Sequence, residues 1–166
     1  MPFDGIAILT VLTAVGCGIA AGVFFAFSSF VMTALARIPA AQGIVAMQSI
    51  NVAVINVSFM GVLFGTAGLC VARAAVAGLH WQRAGSAMAL AGCVAYLLGT
   101  IGTTVAFHVP RNDALALIDP AAPEAVAAWT SYVSAWTLGN HLRTAAAVLA
   151  MVLLIVSLLL SRAAND

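Results

Sequence analysis

The sequence predicts an all-α fold: an integral membrane bundle of four helices in up-down-up-down order. Three observations predict it. Of the 166 residues, 64% are apolar and only 7% charged, against roughly 25% charged in ordinary soluble domains. Such a chain cannot cover a soluble globule with polar groups, and disorder is excluded because it requires low hydrophobicity. Four apolar runs each exceed the ~20 residues that cross a ~30 Å hydrocarbon core. None of them alternates with the short period of a membrane barrel strand, whereas the abundant Ala, Leu and Met favour helix. The net charge is +1 and no basic stripe is present, which excludes nucleic acid as a partner.

The first span covers about 6–36 and ends in Ser28 and Ser29. Arg37–Gly43, with Pro39, joins it to a second span at about 43–72, which carries Gln48, Asn51 and Asn56 in its first half. Arg73–Gly85 is the next connection. The third span, about 84–107, closes on Thr100, Thr103 and Thr104, with His108 just beyond. His108–Glu124 is the longest connection, with Pro110, Pro120, Pro123 and the acids Asp113, Asp119 and Glu124. The fourth span covers about 126–161. Continuous from Glu124, this helix would be some 55 Å long at ~1.5 Å rise per residue, so it projects beyond the bilayer or bends near Gly139. No linker separates two composition regimes, so 1–166 reads as one domain.

Cys17, Cys70 and Cys93 lie inside apolar helices without metal-type spacing and read as small core residues. Gly18 with Gly22, and Gly61 with Gly65, are small-residue pairs that let helices approach closely. Close packing inside the bundle is the first reading, and contact between copies of the chain in a homo-oligomer is the second. Met1–Gly5 lacks the basic region of a signal peptide. Arg73, Arg83 and Arg162 fall on the side of the N-terminus, Arg37 and Arg111 on the other. That count places both termini in the cytoplasm, in a bacterial plasma membrane.

Polar residues within spans are costly and face the bundle interior. In an up-down bundle the polar parts of all four spans share one end, while the opposite halves are nearly pure Ala, Val, Leu, Ile and Gly. On the fourth helix, Trp129, Tyr132, Trp136, Asn140 and Arg143 are spaced three, four, four and three, which puts them on one stripe. The alternative is an interfacial aromatic belt with a snorkelling Arg. His141 is turned about 100° from Asn140. His108 and His141 are the only His residues at this end. A two-His site completed by Asn or Gln is unusual for zinc or iron. No cofactor is therefore expected, although a metal shared by His108 and His141, or a haem on one or two axial His, stays open.

Four stretches also carry a family likeness. These are Phe24–Met32, Ala46–Asn51, Phe107–Ala116, and Trp129-x2-Tyr132-x3-Trp136-Thr137 followed by Asn140-His141-Leu142-Arg143-Thr144. In this order they resemble the anthrone oxygenase-like family of small membrane proteins, over nearly the whole chain. Thr33, His108 and Arg111 depart from the family pattern, where Pro, Asn and an apolar residue are usual. The resemblance implies oxidation of an aromatic, anthrone-like or quinol-like molecule by oxygen. In that scheme His141 or His108 is the base. Arg143, Asn140 and Gln48 hold an enolate oxygen. Trp136, Tyr132 and Phe27 sandwich flat rings, and Asn51 and Asn112 complete the substrate contacts. The alternatives are a membrane protein that binds a lipid or quinone-like amphiphile without chemistry, and a structural subunit.

Overall fold

The structure, a computed structural model, describes residues 5–164. It is all-α, with no strand among the described residues. Four helices are long and apolar enough to cross a membrane: α1 (Gly5–Leu35), α3 (Val57–Leu79), α4 (Ser86–Ala116) and α5 (Ala125–Ala163). Between α1 and α3 stands the shorter α2 (Ala40–Ala53).

Two expectations about the helices are corrected. The run 43–72 is not one helix. Asn56 is extended, its Oδ1 accepts from the Phe59 N–H, and its Nδ2 donates to the Ala53 carbonyl. One side chain thus ends α2 and caps α3, replacing backbone bonds that the break removes. The third long helix does not stop at 107 but runs to Ala116, so most of the expected loop after His108 is helical. Pro110 is tolerated because a π-helical stretch, Thr104–His108, precedes it. A proline lacks the N–H for the ladder and crowds the preceding turn, and the wider turn absorbs both. Arg111 Nη1 then donates to the Phe107 carbonyl at 2.9 Å. α5 is uninterrupted past Gly139.

Neighbouring helices meet through small residues. A Cβ on Gly92 would lie 3.0 Å from the Ala150 carbonyl oxygen, Gly99 faces Ala146, and Gly16 faces Thr66. Gly85, at φ +85°, opens α4 against the Ser157 backbone and has no room for a side chain. Along α4 and α5 the contacts pair Gly85 with Ser157, Gly92 with Ala150, Thr100 with Arg143 and His108 with Trp136, so these helices run antiparallel. The central core holds Ala20, Phe24, Leu63, Cys70, Cys93, Tyr96, Ala147 and Leu154. Of the glycine pairs noted in the sequence only Gly18 serves this packing, since a Cβ there would lie 3.0 Å from Met151 Sδ; Gly22, Gly61 and Gly65 are exposed and face open space.

Arg73 is also repositioned. It is not a loop residue but lies 3% exposed within α3, donating through Nε to Thr10 Oγ1 at 2.7 Å and through Nη2 to Ser157 Oγ. The end of the bundle expected to be almost purely apolar therefore contains a buried polar knot.

Candidate functional site

At the other end α5 supplies the stripe that the residue spacing predicts. Trp129, Tyr132, Trp136, Asn140 and Arg143 are all buried. Arg143 is 6% exposed. Its Nη2 donates to Asn140 Oδ1 at 2.7 Å and its Nη1 to Thr104 Oγ1 at 3.3 Å. The buried Nε has no partner. The guanidinium carbon lies 4.4 Å from the centre of the Phe24 ring and 5.2 Å from that of Trp136, within cation–π range. None of these partners is a carboxylate.

Asn140 locks this cation to α1. Its Nδ2 donates to the Phe24 carbonyl at 2.7 Å and to Ser28 Oγ at 2.8 Å, and Ser28 in turn meets the Thr144 hydroxyl. Thr100 Oγ1 donates to the Arg143 carbonyl. Ser28, Thr100, Thr104 and His108 share a local feature: each stands in a π-helical turn, Phe27–Val31, Ala95–Gly102 or Thr104–His108. In the first, the Met32 N–H reaches back five residues to the Phe27 carbonyl. Such turns insert one extra residue into a helix, re-aim side chains, and are frequent at functional sites.

A second layer lies beyond Trp136. Asn112 Oδ1 accepts from both the Tyr132 hydroxyl, at 2.8 Å, and the Trp136 indole N–H, at 3.0 Å. Trp129 stacks on Tyr132, their ring centres 5.7 Å apart, and Phe27 packs 5.6 Å from Trp136. α2 closes this layer. A Cβ on Gly43 would come within 2.7 Å of the Trp129 ring, so only glycine admits the indole there.

Comparison with known proteins adds one result: residues 51–153 match a family model described as anthrone oxygenase. The chain belongs to the anthrone oxygenase family. The match takes in Arg143, Asn140, Trp136, Tyr132, Asn112, Thr104 and His108, while Phe24, Phe27, Ser28, Gly43 and Gln48 lie before it. No curated protein and no solved structure matches the chain.

In this anthrone oxygenase family member, the residues singled out in the sequence divide into three groups. Arg143, Asn140, Trp136 and Phe27 are gathered around one point, with Tyr132 and Asn112 behind them. Asn51 lies beside the Tyr132 hydroxyl, and its buried Nδ2 makes no hydrogen bond of good geometry. Gln48 and the two histidines have other settings. Gln48 Nε2 donates to the Leu115 and Ile118 carbonyls, so its amide N–H groups tie α2 to the C-terminal end of α4. His108 is buried edge-on to Trp136, with Nδ1 3.3 Å from the Thr103 carbonyl oxygen and Nε2 3.2 Å from that of Trp136. His141 is exposed on α5. No hydrogen bond or ring contact joins the two histidines, and among the described residues no three His, Cys, Asp or Glu side chains form a metal-binding group. Phe24, which lies under the Arg143 guanidinium, was not singled out. Its only sequence signal is its place in the aromatic run before Ser28, because contacts across helices leave no spacing to read.

Proposed function

We propose that this chain is a membrane-embedded, oxygenase-like enzyme that oxidises a flat aromatic carbon acid, anthrone-like or quinol-like, with molecular oxygen. The observation that carries this reading is the buried Arg143 guanidinium, which keeps its Nε–H unspent among aromatic rings and has no carboxylate partner. Such a group stabilises negative charge that develops on a substrate oxygen. The four long apolar helices support placement in a bilayer. With four spans, the two ends of the described chain lie on one side of what we read as a bacterial plasma membrane.

In the proposed reaction a ring methylene conjugated to a carbonyl loses a proton, and its electron pair delocalises onto the carbonyl oxygen, held by Arg143. The carbanion carbon is the reductant. It transfers an electron to oxygen, the radical pair combines to form a C–O bond, and protonation gives a hydroperoxide. Loss of the second C–H proton as the O–O bond breaks releases water and leaves a carbonyl. In sum, CH2 and O2 become C=O and H2O, and the substrate supplies all four electrons. Phe27 and Trp136 provide faces for the rings.

The test is oxygen uptake by the purified protein in detergent with a simple anthrone, corrected for autoxidation. Uptake that Arg143→Gln abolishes supports the reading. Uptake no greater than that of the variant overturns it, and leaves a site that binds an amphiphile without chemistry.

A further inference from the structure

We infer that the chain takes its substrate as an oxyanion and offers no side-chain base to generate it: Arg143 serves as the substrate's counter-ion, and the proton leaves to water. The inference rests on the oxygenase reading above. It narrows the substrate class to planar phenols and enols acidic enough to ionise in water once their oxygen meets a guanidinium.

A buried cation without an anionic partner is costly, and the cost is recovered when an anion arrives. The existing bonds of Arg143 occupy Nη1 and Nη2 and leave Nε, so an incoming oxygen has a donor that nothing else uses. The guanidinium carbon stands over the Phe24 and Trp136 rings, so a flat anion that reaches Arg143 meets aromatic surface beside it.

Among the described residues, none of the other ionisable groups that face this place offers a free base. α4 brings His108 and Arg111, and α5 brings Tyr132. α1 brings Phe24 and Ser28, and α2 brings Asn51 and Gln48, none of which ionises. Each ring nitrogen of His108 lies against a backbone carbonyl oxygen, so whichever nitrogen carries the lone pair directs it at a carbonyl and not at a substrate C–H or O–H. The Tyr132 hydroxyl donates to Asn112. His141 is exposed on α5. The ionisation step is then simple. The O–H bond of the enol form breaks, its electron pair stays on the oxygen beside Arg143, the proton passes to water, and no other bond changes.

The test uses the full chain in detergent and a nitronaphthol, a planar phenol whose neutral and ionised forms absorb at different wavelengths and which lacks an oxidisable methylene. Bound to the parent protein, the probe is expected to reach half-ionisation at least about one pH unit lower than in empty detergent, a tenfold preference for the anion. Arg143→Gln is expected to remove the shift and Arg143→Lys to restore some of it. His141→Gln is expected to leave shift and oxygen uptake unchanged. A probe that binds with its ionisation unmoved, or that does not bind, overturns the inference even if anthrone-dependent oxygen uptake is present. A shifted probe without oxygen uptake sustains the anion site and overturns the oxygenase reading instead.

Discussion

Arg143 and Asn140 form a unit in which one side chain sets the other. Asn140 spends its amide hydrogens on α1, which turns its oxygen toward Arg143 Nη2, and this fixes the guanidinium between Phe24 and Trp136. Loss of a pre-oriented donor of this kind costs roughly 10²–10³ in turnover, and that is the expected effect of Arg143→Gln on the initial rate of oxygen uptake. In the next layer Asn112 has the matching role, as the shared acceptor for two buried donors. Asn112→Leu leaves the Tyr132 O–H and the Trp136 N–H unpaired, at about 1–3 kcal/mol each. Thermal unfolding in detergent, followed by tryptophan fluorescence, is expected to show a lower midpoint. An unchanged midpoint would show that the pairing contributes nothing. The stripe on α5 was legible because helical periodicity alone decides which residues share a face. What each residue touches was not, since Gln48 and His108 are polar residues whose partners are backbone carbonyls of other turns. Composition cannot separate such a use from substrate binding.

At the scale of elements, the number of long helices was legible, while the bounds of the second and the interruptions were not. The break at 54–56 sits within an apolar run, and Asn56 reads as one more polar residue in a span until its two capping bonds are seen. The π-helical turns carry no residue signature, because one inserted residue shifts the register without changing composition. Those turns nonetheless set the site: they present Ser28, Thr100, Thr104 and His108 toward α5. Asn56→Ala removes both capping bonds at once. Cap losses run to about 0.5–2 kcal/mol, so faster amide exchange is expected at the start of α3, with exchange in α5 unaltered. Protection at Phe59 equal to the parent's would remove Asn56 from its role as the cap.

For the whole molecule, the position of the site relative to a bilayer follows from the length of α5. Its 39 residues make a rod of roughly 58 Å at ~1.5 Å rise, nearly twice the ~30 Å hydrocarbon core. From Ala163 back to Arg143 is already about 30 Å by the same rise. With the C-terminal end at one boundary, Arg143 stands at the other, and Trp136, Tyr132 and Trp129 lie in the headgroup region or beyond. The orientation count of the sequence weakens at this scale. With Arg73 buried, Arg83 and Arg162 balance Arg37 and Arg111, and charge no longer favours one side. Depth can be measured without knowing orientation. In a Trp81→Phe background, which removes the exposed third indole, the remaining tryptophans report only on the site. Reconstituted with lipids brominated near the headgroup or near the chain end, their fluorescence is expected to be quenched more by the shallow bromine. Stronger quenching by the deep bromine would place the aromatic layer at the bilayer centre. A substrate anion would then have to cross hydrocarbon to reach Arg143, whereas at the boundary its rings enter from the lipid while its oxygen, and the released proton, stay next to water.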